Sequence, residues 1–259
     1  MISLSEQQIF SLIGTYFWTL TRVTAMIGAA PVISSRSVPV RAKLALAVSI
    51  SLLVAPFNHD VPQLQPLSAD MLLITFNQVL IGIAMGLCLQ VVFTMFIVGG
   101  QVVAYQMGLG FSQMVDPQSG TQVPVISQFY IIVITLLFFT LNGHLAVFKL
   151  LIDSFQLLPI GTEGLQSNGY WLIIEWSRQM FLGGISIALP AIASVFMVNF
   201  TFGLVTRSAP QFNIFSIGFP ITIVTGFLII YITATTIYPH FKEQLSNALS
   251  VSQGVLQAK

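Results

Sequence analysis

The sequence predicts an all-α polytopic membrane protein of about six apolar helical segments, several of them broken by glycine or proline. Three observations carry this. Charged residues make up 7% of the 259 positions and hydrophobic residues 55%, whereas soluble domains carry about 25% charged residues. So small a polar share cannot cover a water-facing surface. The apolar residues gather in runs, most of them long enough to span ~30 Å of hydrocarbon. Glycines and prolines fall inside or between those runs, leaving several segments broken or of the wrong length for one straight span.

The first run covers residues 8–33 and contains Arg22. An Arg within a membrane segment faces protein or water and has a partner. An ion pair or a carbonyl contact is expected here ahead of a transport role. No basic region precedes the first charge, Glu6, so no cleaved signal peptide is expected. A basic turn follows, in which Arg36, Arg41 and Lys43 flank Pro39 without an acid. The positive-inside rule places it in the cytoplasm. Residues 42–57 are apolar but short for a span, which suits half of a hairpin. Residues 58–70 are proline-rich, carry Asp60 and Asp70, and suit the opposite side.

Residues 71–105 form a long run without a charge, expected either as one tilted helix or as two segments hinged at Gly99-Gly100. Within it Gly82 and Gly86 form a small-xxx-small pair that lets helices approach. Cys88 is the single cysteine and is expected to be a packed core residue. Residues 125–148 are expected to form another span, followed to residue 168 by an amphipathic helix end and a loop. Residues 170–205 carry Glu175 and Arg178 at i,i+3, where they can pair, and Pro190, which should kink the helix. A turn from Arg207 leads into the last span at 221–238, and 241–259 is a polar tail, helical or frayed.

Between the third and fourth runs lies the stretch that least resembles either a loop or a helix. Gly108, Gly110, Gly120, Pro117 and Pro124 forbid a regular helix, yet Met107, Leu109, Phe111, Met114 and Val115 make its first half apolar. In hydrocarbon, irregular backbone survives only when buried in protein or lining a wet cavity. A re-entrant or pore-blocking loop is expected, against the plainer reading of a connecting loop. Asp116-Pro117 followed by Ser119-Gly120 reads as turn chemistry.

Net charge of +1 argues against a nucleic-acid partner. No residue set supports catalysis, a metal site or a bound cofactor: His144 stands without a second ligand, and no hydrolase or phosphate-cradling motif is present. The composition suits a scaffold or a conduit. A secondary transporter for a small solute is the alternative, although the repeats such a protein should show are not visible.

Four pieces taken together resemble one family. They are Pro31-Val-Ile-Ser-Ser-Arg36-Ser-Val-Pro39-Val-Arg41, Gly108-Leu-Gly-Phe-Ser-Gln-Met-Val-Asp116-Pro117, Leu141-Asn-Gly-His144, and Ala209-Pro-Gln-Phe-Asn213-Ile-Phe-Ser-Ile-Gly218-Phe-Pro220. They are similar to the FliR/SctT family of type III export-gate proteins, and the Asn-Ile-Phe run favours its flagellar branch. The resemblance implies a subunit of a helical hetero-oligomeric gate in the bacterial inner membrane, at the flagellar basal body. FliP-like and FliQ-like subunits would build the channel with it, FlhB-like and FlhA-like membrane components would attach, and unfolded flagellar subunits would pass through. It implies a FliP-like part over about 1–168 and a FliQ-like hairpin over about 169–240. It also implies a channel plug made of Met107, Gly108, Leu109, Gly110, Phe111, Ser112, Gln113, Met114, Val115, Asp116 and Pro117. Met107, Phe111 and Met114 would then form a deformable, dewetting seal. Structural and assembly roles fall to Arg22, Arg36, Pro39, Arg41, Glu175, Arg178, Arg207, Pro210, Asn213, Gly218 and Pro220. Asn213 is expected to cap the following helix.

Overall fold

The computed structural model describes residues 6–58, 62, 68–110, 112–116, 121–208 and 214–258. Seven α-helices lie among them: α1 (Glu6–Ala29), α2 (Val40–Val54), α3 (Ala69–Gln106), α4 (Val125–Thr140), α5 (Gly143–Leu157), α6 (Ser167–Ser208) and α7 (Ile214–Gln257). A 3-10 turn at Ala55–Phe57 extends α2, and two short strands, β1 (Gln113–Val115) and β2 (Gln122–Pro124), lie between α3 and α4. The helix starts follow local chemistry. Pro39 and Pro124, at φ −57° and −58°, stand immediately before α2 and α4, where the missing N–H costs nothing. Ser68 Oγ accepts from the Met71 N–H at 3.1 Å and caps α3.

Among the described residues, four stretches are long and apolar enough to cross a bilayer: Val40–Phe57, Ala69–Gln106, Ser167–Ser208 and Gly218–Gln257. The pair Val125–Thr140 and Gly143–Leu157 passes the same test together. The chain is an all-α polytopic membrane protein. The 24-residue α1, expected as the first span, is not among these candidates; it carries the buried Arg22 instead. Residues 125–148, expected to be continuous, are divided at Leu141–Asn142. Asn142 sits in the left-handed region at φ 55°, which asparagine tolerates better than most residues.

The chain forms two compact units. The first comprises Met1–Gln90, Asn142–Ser177 and Ser246–Lys259. Its core includes Trp18, Met26, Ile81, Met85 and Cys88. Here α1 and α3 touch at glycines. A Cβ on Gly82 would stand 2.5 Å from the Arg22 carbonyl oxygen, and one on Gly86 would run into Ala29, so the small-xxx-small pair is a true crossing point. Trp18 Nε1 donates to Thr75 Oγ1 at 3.1 Å, and Trp176 Nε1 to the Cys88 carbonyl at 2.9 Å.

The second unit comprises Val91–Leu141 and Arg178–Leu245. Edge-to-face aromatic pairs fill it: Phe93 with Phe138 and Phe241 at 5.8 and 5.9 Å, and Phe96 with Phe241 at 5.8 Å. The long helix α3 continues through Gly99-Gly100, so the hinge reading gives way to the single-helix one. The two glycines serve packing instead. A Cβ on Gly100 would lie 2.6 Å from Ser127 Cα, and one on Gly99 would press on Gly184 and Ile187. The tail expected to be polar is helical to Gln257; within the first unit its Ala248, Ser252, Val255 and Leu256 make a buried stripe at helical spacing.

Candidate functional site

The stretch after α3 begins with a complete helix stop. Gly108 adopts φ 74°, its N–H bonds to the Tyr105 carbonyl at 3.1 Å, and the Leu109 N–H bonds to the Ala104 carbonyl at 2.8 Å. This is the paired 5→2 and 6→1 pattern of a Schellman motif, which glycine serves because a Cβ is strained at positive φ. A Cβ on Gly108 would also meet the Phe219 ring at 2.9 Å. Directly before it Met107 is fully buried, with its side chain against Gly226 of α7. Thus Met107 and Gly108 root the segment in the second unit.

Beyond the root the chain folds into an antiparallel hairpin. Gln113 pairs with Pro124, Met114 with Val123 and Val115 with Gln122. The Asp116 N–H extends the ladder to the Thr121 carbonyl at 2.8 Å, and the Val125 N–H bonds to the Ser112 carbonyl at 3.1 Å. A Cβ on Gly110 would stand 2.6 Å from the Tyr105 ring. Exposure divides the residues. Met107 and Asp116 are buried, Leu109 is half-buried, and Ser112, Gln113 and Met114 are exposed, Met114 by 53%. Phe111 and Pro117 lie outside the described residues. The described residues of the segment therefore form a hairpin on a fixed root with an exposed apolar methionine, and a two-stranded hairpin of this size has little stability of its own.

Arg22 is the most completely satisfied polar residue among those expected to matter. It is fully buried. Its Nε donates to Gln78 Oε1 at 2.7 Å, Nη1 to the Ser154 carbonyl at 2.9 Å and Ser154 Oγ at 3.2 Å, and Nη2 to the Leu158 carbonyl at 2.8 Å. The guanidinium carbon stands 4.3 Å from the Phe155 ring centroid. The carbonyl contact, not an ion pair, is the form its partnership takes. Ser154 and Leu158 sit at the C-terminal end of α5, where the Ser154 carbonyl also accepts from the Leu158 N–H at 3.0 Å and the helix dipole favours a cation.

The other expected assembly residues are scattered. Arg36, Pro39 and Arg41 are exposed around the start of α2, while Lys43 Nζ donates to the Ser34 carbonyl at 2.7 Å. Glu175 and Arg178 are both exposed on α6 and do not pair, which fits the few tenths of a kcal/mol such a pair is worth (about 0.2–0.5). Arg207 is exposed at the end of α6, Gly218 is buried and Pro220 is exposed on α7. Pro210 and Asn213 lie outside the described residues.

A family model described as bacterial export proteins, family 1, matches residues 13–248, and that span includes most of α1, the helix stop and the hairpin. The chain belongs to this family. Relatives extend the match nearly end to end. A flagellar biosynthetic protein FliR of Escherichia coli (strain K12) is 39% identical over 255 residues, 96% of this chain and 97% of that one. One from Pectobacterium carotovorum is 32% identical over 257 residues, covering 99% and 98%. One from Bacillus subtilis (strain 168) is 23% identical over 252 residues, covering 96% of each.

In this member of family 1, sequence reasoning missed two parts of the site. Gln78, Ser154 and Leu158, the partners of Arg22, carry no local signal, since they lie 56 to 136 residues away in the chain. The hairpin had a signal: two triplets, Gln113-Met-Val and Gln122-Val-Pro, flank the turn residues Asp116-Pro117 and Ser119-Gly120.

Proposed function

We propose that this chain is a core component of the flagellar type III protein export gate and completes the channel through which unfolded flagellar subunits leave the cell. The observation that carries the reading is the near end-to-end match to FliR proteins of distant bacteria within one export-protein family. In this reading the chain works in the inner membrane at the flagellar basal body. It assembles with FliP-like and FliQ-like subunits and meets FlhB-like and FlhA-like components. Its part over about 1–168 takes the FliP-like place and its part over about 169–240, which begins close to the start of α6 at Ser167, takes the FliQ-like place. The exposed apolar faces of α6 and α7, with Phe196, Met197, Phe200, Val224 and Tyr231 among them, suit burial against other subunits or lipid.

The hairpin serves as the plug. Its root at Met107 and Gly108 anchors it, while Phe111 and Met114 supply a deformable apolar closure. The assembly is tested by native mass spectrometry of the tagged chain, co-expressed with its chromosomal neighbours in mild detergent. One copy of this chain with several copies of two smaller membrane proteins is expected. A stable monomer or homodimer would overturn the reading. The plug is tested separately: deletion of residues 110–116 should raise ion leakage, and unchanged tightness would remove the sealing role.

A further inference from the structure

The second unit holds a pocket of mixed lining that the export reading does not use. Its volume is about 160 Å³; apolar side chains, Phe96 among them, make up more of its wall, and its polar groups come from Tyr130 of α4, Ser186 of α6, and Thr233, Thr236 and His240 of α7, with Pro190 of α6 beside them. None of these carries a fixed charge, and among the described residues no three His, Cys, Asp or Glu side chains stand together to hold a metal ion. It does have unmet hydrogen-bonding capacity. The Nε2 atom of His240 is covered and has no hydrogen-bond partner among the described residues. The His240 ring stands edge-on to Phe96 at 6.2 Å. Pro190 lies inside α6 and has no N–H, so it cannot give the helical bond to the Ser186 carbonyl one turn back.

The hydroxyls add further acceptors. Ser186 donates to the Leu182 carbonyl and Thr233 to that of Ile229, each at 2.8 Å, and Thr236 donates to the Thr233 carbonyl at 2.7 Å. With their protons committed, the oxygens of all three have only lone pairs left to offer. A ligand for this pocket must therefore be small, neutral and rich in donors, and must also be able to accept if the His240 nitrogen carries the proton.

We propose that the pocket is a water-binding site. A cluster of ordered water there donates to the Ser186 carbonyl and to the hydroxyl oxygens, and pairs with His240 Nε2 and the Tyr130 hydroxyl. A water occupies ~30 Å³ of liquid and makes about three bonds when buried, so the volume admits a small cluster rather than a single molecule. An apolar occupant such as a lipid chain would leave both the nitrogen and the carbonyl without partners, which is costly for buried polar groups. The water has a mechanical consequence. It supplies the bond that Pro190 cannot, so α6 can bend at that point without stranding a carbonyl.

Hydroxyl-radical footprinting with short X-ray pulses tests this on the full-length chain in its co-purified membrane complex. Radicals formed from bound water modify the side chains beside it even where bulk solvent does not reach. Tyr130 is 2% exposed and Phe138 1%, so without internal water the two should be labelled alike once corrected for intrinsic reactivity. The expected result is labelling of Tyr130 severalfold above Phe138, because ordered water stands beside the first and not the second. Equal labelling would overturn the proposal, and is what a lipid or detergent chain in the pocket would give. The variant His240→Phe, which removes the nitrogen and fills space, should bring Tyr130 down to the Phe138 level. Should that variant fail to fold, Thr236→Val removes one acceptor at nearly constant volume and should lower Tyr130 labelling severalfold. Labelling of Tyr130 that stays at its original level in a folded variant would overturn the assignment.

Discussion

The Arg22 cluster and the hairpin after α3 are both polar or broken interruptions in an apolar chain, yet they are held in opposite ways. Around Arg22 each guanidinium nitrogen has a partner within 2.7–3.2 Å, and the partners come from α3, from α5 and from the residue that ends α5. Around the hairpin the hold is uneven. Met107 and Gly108 are clamped against α7, the strands bond to each other, and Asp116 and Val123 are buried while Met114 is exposed. One arrangement is partnered on every nitrogen, while the other joins a clamped base to a short ladder that leaves a methionine exposed. Segments with few buried contacts are where local opening is least costly, so the second arrangement suits a part that must move and the first a part that must not.

The largest effect should come from breaking the first arrangement. Arg22→Met leaves Gln78 Oε1 and the Leu158 carbonyl without this donor, while the Ser154 carbonyl keeps the Leu158 N–H, and each buried acceptor left bare costs about 1–3 kcal/mol. The variant should lose several kcal/mol and fail to accumulate in membranes, as measured by thermal denaturation and steady-state amount. Arg22→Lys should recover only part of this, because an ammonium cannot reproduce the planar fork. A variant Arg22→Met as stable as the parent would show that the contrast between the two regions is not energetic.

Next in size is Met107→Ala. It removes a fully buried side chain packed on Gly226, at about 2–5 kcal/mol for a core methionine. Unlike the Arg22 variant, it should loosen the hairpin in particular. Limited proteolysis should show faster cleavage within residues 107–124 at a temperature where the rest of the chain still resists. Equal loss of protection throughout the chain would mean that Met107 supports the whole unit and not the segment.

These two side chains also show how far the sequence could be followed. Arg22 announced by chemistry alone that it needed a partner, because an uncompensated cation in an apolar run is costly. It could not say which partner, since the acceptors arrive through folding from residues far along the chain. Met107 and Met114 looked alike as apolar members of one irregular stretch, and only the packing of α7 separates a buried anchor from an exposed tip. The hairpin showed only in its turn residues: strands of three residues are too short for an alternating pattern to declare itself. The break at Asn142 was masked by apolar residues on both sides, although Asn-Gly is a turn dipeptide. Composition fixes that the surface is apolar and leaves open whether lipid or another subunit covers it.

A smaller effect is expected from Gly108→Ala. A non-glycine residue in the left-handed region costs about 1–2 kcal/mol, and the new methyl would meet the edge of the Phe219 ring at 2.9 Å. Phe219 is 49% exposed, so its ring has room to yield, and the backbone term should dominate. The double variant Gly108→Ala with Phe219→Ala should therefore recover little stability, as read from paired thermal melts. Full recovery would assign the cost to the ring contact.

The smallest effect on stability should come from Met114→Ala, and it separates the two regions most sharply. Met114 is exposed in the folded chain, so its truncation should change stability by less than about 0.5 kcal/mol, the range of surface substitutions. If the hairpin closes a channel, the same truncation removes a flexible apolar side chain from the seal and should raise ion leakage in vesicles carrying the complete assembly. Met107→Ala and Met114→Ala then dissociate, one reducing stability through the root and the other reducing tightness with the melting temperature unchanged. Leakage that follows stability across both variants would instead mean that the hairpin seals only by being folded, and that no side chain at its exposed end has a part of its own.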